Sequence, residues 1–270
     1  MSIAEVQGNW DSRVRVFRSA DLDTFAVVTE RFVVLVDTQM TPEHCAFILE
    51  SLRPELATRG LLAVNSHQHD DHVWGNVALP AGTPIIALEA SLNVANDARF
   101  QQSLEEKRAA DARFATVRIV PPNLTFTDRM TLHGGDLTLE LLPAPGHSAD
   151  QLVVWIPQIE TLLATDAAEH PLPYAGDPRE LGTLRATLRR LQTLEPAVVL
   201  PCHGATSDAG LLTRNLAYFD ELERRVKAGE TWSFEDALRW MNLEPAQVEN
   251  FYRGFHKLNL EAMSVLENTL

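Results

Sequence analysis

Strand-length apolar runs fall in two blocks along this chain, and that arrangement limits the folds open to it. In the first block VRVF, FAVVTE and RFVVLVDT are β-branched and aromatic, the composition of strands. Thr41-Pro42-Glu43 then starts a helix expected to reach about Leu52. It has a capping threonine, proline at the first helical position and an acid in the first turn. GLLAVN is a continuous apolar run, as buried strands are, and TPIIALE is a further short strand. In the second block VRIV, RMTL, LTLELLPA, LVVWIP, TLLATD and AVVLPCHG read as strands. Between the blocks, residues 89–113 are polar and free of Pro and Gly. One or two exposed helices are expected there, as an insertion over the surface.

Three apolar stripes at helical spacing follow. They are Leu184, Leu188, Leu191 and Leu194; then Leu212, Leu216, Phe219, Leu222 and Val226; then Val248, Phe251, Phe255, Leu258, Ala262 and Val265. The whole order suggests an α/β (α+β) fold of two αβ halves packed sheet on sheet, with helices outside. The stretch KAGET marks a soft boundary between a main domain, residues 1–228, and a C-terminal helical extension, residues 229–270.

The chain has 270 residues, 45% of them hydrophobic, enough for a large core. It has no run of ~18 apolar residues, so no membrane span is expected. The N-terminus lacks the basic start and apolar stretch of a signal peptide. Cys45 and Cys202 cannot form a disulfide framework; two reduced thiols and a cytoplasmic location are expected. A net charge of −14 would repel a phosphate backbone, which argues against a nucleic-acid partner.

The stretch NSHQHDDHVWGN places three histidines and two aspartates within His67–His72. His67 and His69 lie two apart, so on extended backbone they project to one side. Two imidazoles on one side are half of a tetrahedral zinc site. Asp71 and His72 are adjacent and point apart where the chain is extended, so they suit a second ion better than the first. Further donors lie just past predicted strands: His147 in APGHSAD, Asp166 in LLATDAA and His203 in VVLPCHGAT. The ends of different strands can converge in space.

The series His67-x-His69-x-Asp71-His72, Gly146-His147, Asp166 and His203-Gly204 resembles the ligand series of the metallo-β-lactamase superfamily, over residues 12–228. The resemblance implies a four-layer αβ/βα sandwich and a metal-dependent hydrolase holding two Zn2+, with Mn or Fe suited to the same donors. It implies that His67, His69 and His147 hold one ion, that Asp71, His72 and His203 hold the other, and that Asp166 bridges both. Asp71 and Asp166 then count as catalytic as well as ligating. A bridging hydroxide would attack the carbonyl of a small ester, thioester, lactone or amide.

Within the superfamily, Asp166 argues against a true β-lactamase, which lacks the bridging aspartate. His69 argues against the flavodiiron branch, which carries glutamate there. The nucleases of the superfamily add a further domain or a basic surface, and neither is visible. The tyrosine that lactonases keep three residues after the bridging aspartate is Glu169 here. No confident counterpart appears for the basic glutathione-binding residues of glyoxalase II-like thioesterases. The alternatives are a mononuclear iron oxygenase of the sulfur dioxygenase type and β-lactamase-like activity. The expected partner is a small-molecule substrate, with a second copy of the chain as one candidate cover for the C-terminal stripe.

Around the ligands, Ser148 is expected to hydrogen-bond a ligand group, and Asp70 either to do so or to face solvent. Trp74 suits a pocket wall or the core equally. The stretch EHPLPYAG, Glu169–Gly176, is either an active-site rim, with His170 or Tyr174 on substrate, or a surface loop. Cys202 reads as packing beside a ligand rather than as a thiol nucleophile. His44, His133 and His256 read as structural.

Overall fold

The β-branched and apolar runs pair into two sheets. The computed structural model describes residues 2–20, 22–175, 178–244, 248 and 250–269. By its internal contacts the chain divides into two units: Met1–Pro143 with Leu152–Ile159, and Ala144–Gln151 with Glu160–Leu270.

The first unit holds a seven-stranded sheet in sequence order: β1 (Ala4–Val6), β2 (Val14–Arg18), β3 (Asp23–Val28), β4 (Phe32–Val36), β5 (Gly60–Val64), β6 (Ile85–Leu88) and β7 (Leu124–Phe126). From β1 to β4 the pairing is antiparallel, and from β4 to β7 it is parallel. Parallel pairing needs crossovers. The first is α1 (Pro42–Ser51) with the short α2 (Arg53–Leu56). As expected, Thr41 caps α1, its hydroxyl accepting from the His44 N–H at 3.4 Å. Phe17, Ala26, Val33, Leu35, Cys45, Ile48 and Leu52 make one buried cluster between sheet and helix. The second crossover carries α3 (Asp70–Val73), directly after the β5 loop. The third carries the polar insertion, which is helical as expected: α4 (Ser91–Ala95) and α5 (Ala98–Ala110). β8 (Met130–His133), β9 (Thr138–Pro143) and β10 (Leu152–Ile156) follow as an antiparallel run in the second sheet.

The run Val117–Val120 is not a strand. Its first and last carbonyls are taken by side chains: Asn76 Nδ2 donates to Val120 O at 3.0 Å, and the Arg108 guanidinium donates to Val117 O. The Val117 side chain joins Trp74, Leu104 and Phe114 in a second buried cluster. The edge strand is instead β7, where β-propensity in the sequence is weaker.

In the second unit β11 (Thr161–Thr165) pairs parallel with β12 (Val198–Pro201) across α6 (Pro178–Gln192). Leu181, Leu184, Leu188 and Leu191 line the buried face of α6; Leu194 lies past its end. α7 (Leu211–Ala228) buries Leu212, Leu216, Phe219 and Leu222 and ends at Gly229, whose φ of 68° is left-handed. α8 (Phe234–Trp240) and α9 (Tyr252–Thr269) complete the unit.

The face of α9 differs from the expected stripe. Phe251, Leu258 and Val265 are exposed, and the buried positions are Tyr252, His256, Asn259, Ala262 and Met263. Of the expected stripe Ala262 is buried and Phe255 half-buried; two of the other buried positions are polar, so hydrophobic periodicity finds the buried face only in part. His256 Nε2 lies 2.9 Å from Trp232 O and its Nδ1 lies 3.0 Å from the Tyr218 hydroxyl. Asn259 Nδ2 donates to Pro173 O at 2.8 Å, while its Oδ1 accepts from the Ala175 N–H at 2.8 Å. Buried polar groups require such partners. Of the expected third stripe, Val248 is half-buried; Gly176, the end of the EHPLPYAG stretch, lies outside the described residues. Among the described residues no helix is long and apolar enough to cross a membrane.

Candidate metal centre

Each unit gathers its own group of donors. In the first unit the chain leaves β5 at Val64 and carries His67 and His69 on the loop before α3, with His69 extended. Their rings sit on one side as expected, centroids 4.4 Å apart, and His72 brings its ring to 4.2 Å from that of His67. Asp71 and His72 do not diverge. They lie in the helical turn of α3 rather than on extended chain, and Asp71 Oδ2 is 3.6 Å from His72 Nε2.

A residue that sequence reasoning missed holds this group in place. Asp37, at the end of β4, is fully buried. Its Oδ2 lies 2.8 Å from His72 Nδ1, and its two oxygens accept from the Ser66 N–H and hydroxyl, both at 2.7 Å. The carboxylate thus settles the His72 proton on Nδ1 and leaves Nε2 able to bind a metal, the usual arrangement where a carboxylate backs a ligating imidazole. Asp37 has a φ of 65°, an uncommon conformation for a residue other than glycine. The one sequence signal was an acid closing an apolar strand in VVLVDT.

The rest of the loop is scaffolding. Asn76 is buried and exchanges amide hydrogen bonds with Asn65 at 2.8 and 3.1 Å, and it accepts from the Thr38 hydroxyl at 2.9 Å. A Cβ on Gly75 would sit 1.9 Å from Thr38 O, so only glycine fits there. Trp74 is fully buried in the core, which decides between its two readings. Asp70 accepts from the Asp71 N–H at 3.1 Å and lies 4.0 Å from Lys107 Nζ of α5. Burial first, then the Asp71 charge, raises its pKa above the ordinary carboxylate value.

In the second unit the donors come from separate strand ends. Asp166 follows β11 after a register shift between Leu163 and Thr165 and a left-handed Thr165 at φ 48°; irregularities of this kind re-aim side chains beside sites. Gly146, φ 135°, precedes His147, and a Cβ there would lie 2.3 Å from Leu184 Cα of α6. Gly204, φ 91°, follows His203, and a Cβ there would lie 1.8 Å from His170 O. The outcome is convergence on one oxygen: Asp166 Oδ2 is 3.5 Å from His147 Nε2 and 3.3 Å from His203 Nε2.

Glu169 joins this group. It is fully buried, with Oε1 3.6 Å from His147 Nδ1. Its backbone is clamped by the Asn215 amide, which accepts from the Glu169 N–H at 3.0 Å and donates to Glu169 O at 2.8 Å. His147, Asp166 and Glu169 each offer a ligand atom within 4.8 Å of the others, a group able to hold a metal ion. Ser148 does not serve a ligand; its hydroxyl donates to Asp150 Oδ1 at 2.9 Å. Tyr174 stands beside His147, ring centroids 5.7 Å apart. The His170 N–H donates to His203 O at 3.2 Å, and burial, then the Arg214 charge, lowers its imidazole pKa. Neutral imidazoles and carboxylates suit a first-row divalent ion, so both groups have the chemistry a metal requires.

Comparison with known proteins identifies the family and the fold. The model of the metallo-beta-lactamase superfamily matches residues 23–203, and the chain belongs to that superfamily. A metallo-beta-lactamase type 2 from Bacillus sp. (strain 170) is 25% identical over 195 residues, 70% of this chain and 68% of the relative. Two solved structures share the fold. A metallo-beta-lactamase from Pontibacter korlensis has a TM-score of 0.63 at 23% identity, covering 80% of this chain and 98% of its own. The FIM-1 metallo-beta-lactamase from Pseudomonas aeruginosa, in its mono-zinc form, has a TM-score of 0.59 at 17% identity, covering 80% and 94%. The chain therefore has the mixed α/β metallo-beta-lactamase fold with helices added at its C-terminal end, and carries residue groups able to bind metal.

Proposed function

We propose that this protein is a dinuclear metal-dependent hydrolase of a small ester, thioester, lactone or amide. In this reading His67, His69 and His147 hold one ion, Asp71, His72 and His203 hold the other, and Asp166 serves both. One observation carries it: a single Asp166 oxygen lies within 3.5 Å of two imidazole nitrogens assigned to different ions. A terminal ligand would need only one such neighbour.

Bound divalent ions supply Lewis acidity and bring the pKa of water toward neutrality. The chain supplies the rest. Asp37 fixes the His72 tautomer, and the buried Glu169 carboxylate backs the Nδ1 side of His147. Asp166 and Asp71 offset cationic charge in a group whose other members are neutral. Zinc is the proposed metal, and the cytoplasm the proposed location. Hydrolysis of β-lactams is a second reading, favoured by the name of the Bacillus relative; Asp166 argues against it.

Elemental analysis of purified protein, with turnover on a panel of ester, thioester, lactone and β-lactam substrates, tests the proposal. Two equivalents of zinc and turnover on one of the first three classes are expected. One equivalent of iron with oxygen uptake would place the chain among iron oxygenases instead.

A further inference from the structure

We propose that Tyr174, Phe255 and Phe251 form an apolar track that receives an extended apolar arm of the substrate, an acyl chain or an aryl group. This rests on the reading of His147 as a ligand at a hydrolytic centre.

The rings run outward in a row from that ligand. Tyr174 meets the His147 ring edge-on at 5.7 Å. Phe255 stacks on Tyr174 at 4.5 Å with planes 24° apart, and Phe251 meets Phe255 edge-on at 5.4 Å. Tyr174 and Phe255 are half-buried, and Phe251 is 44% exposed. Phe251 and Phe255 rest on the buried Tyr252, at 4.1 and 5.7 Å between ring centroids, but core packing uses only one side of the row, since α9 turns Tyr252, His256, Asn259 and Met263 into the interior and leaves Phe251 exposed. Partly exposed aromatic surface beside convergent polar groups is the usual make-up of a ligand subsite.

The row is also held rigidly. Asn259 grips Pro173 O and the Ala175 N–H, the two backbone groups flanking Tyr174, each at 2.8 Å. His256 pins the same helix to Trp232 and Tyr218. Side chains on a helix locked by buried hydrogen bonds make a preorganised site. Phe251 immediately precedes α9 and Phe255 lies four positions further on, about one turn into the helix, so the track lengthens along the helix axis. A short substituent would touch only Tyr174, and a longer one would reach Phe255 and then Phe251.

Metal-loaded wild type, Phe255→Ala and Phe251→Ser are assayed on the p-nitrophenyl esters of acetate, octanoate and phenylacetate. Calorimetry measures binding of octanoate and phenylacetate to the same proteins. Phe251 is exposed, so its replacement keeps the test clear of folding defects. In Phe255→Ala the octanoate-to-acetate ratio of kcat/KM, or the phenylacetate-to-acetate ratio, is expected to fall about tenfold; Phe251→Ser lowers the same ratio less. The ratio that falls identifies the arm. Ratios unchanged in both variants overturn the track. If wild type hydrolyses no ester, the ester-hydrolase reading is what has failed, and calorimetry decides on the track alone. Weaker acid binding in the variants upholds it, and equal or absent binding overturns it.

Discussion

The two donor groups reach similar chemistry by opposite constructions. The first unit packs four proposed ligands into the six residues from His67 to His72 and fixes them from behind with the buried side chains of Asp37, Asn65 and Asn76. The second unit takes three from the ends of separate segments and fixes them with backbone conformation, at Gly146, Thr165 and Gly204. A compact loop tolerates little change in its supports, because every ligand shares them. A dispersed group isolates each ligand, so damage stays local.

The largest expected effect lies at the oxygen where the dispersed group converges. Asp166→Ala should lower turnover by about a thousandfold, several kcal/mol of charge stabilisation, and release one of two ions. Measuring kcat beside metal content checks this; full turnover with both ions retained would remove Asp166 from its shared role. Next, Asp37→Ala touches no ligand atom donated to metal, yet should weaken metal affinity about 10- to 100-fold, read by competition with a chromophoric chelator. Affinity equal to wild type would mean that the compact loop holds itself together. Third, Gly75→Ala and Gly204→Ala place a methyl group against backbone carbonyls in the two groups. Each should cost about 1–3 kcal/mol in urea unfolding. The contrast sharpens if Gly75→Ala also depresses metal affinity at every site of its unit, and breaks if both variants match wild type.

The smallest effect concerns pH. Burial lowers the His256 pKa below its usual value of 6.5, opposed by the Trp232 carbonyl and the Glu235 charge and reinforced by Arg253. A folded-state pKa below the unfolded one means that the unfolded chain binds more protons. Stability is then fully present above pH 6.5 and declines as pH falls from there toward the folded value. Urea midpoints across that window should show the decline, and His256→Gln should flatten it. An equally steep decline in the variant would assign the effect to other groups.

Legibility in the sequence followed this same division. The compact group was readable directly, because donors one or two positions apart need no topology to be neighbours. His147, Asp166 and His203 were recognisable as strand-end donors through their pattern, but their meeting on one oxygen depends on a register shift in β11 and on left-handed turns. Asp37 was invisible as a support, since a lone acid after a strand looks like a turn residue. Val117–Val120 has the composition of a strand, but its first and last carbonyls are claimed by Arg108 and Asn76. In α9 most of the apolar pattern pointed outward and only Ala262 was fully buried, because His256 and Asn259 occupy the buried face and periodicity scores them as surface.

The Asn259 clamp joins positions 84 and 86 residues apart, and this couples two parts of the molecule thermodynamically. Whenever α9 detaches in a local opening, the backbone on either side of Tyr174 loses its two partners together. By linkage, a molecule that binds only the closed arrangement at Tyr174 draws the equilibrium against that opening. Occupancy of the site is then legible at a distance, as slower amide hydrogen exchange along α9, although no ligand atom need touch Asn259.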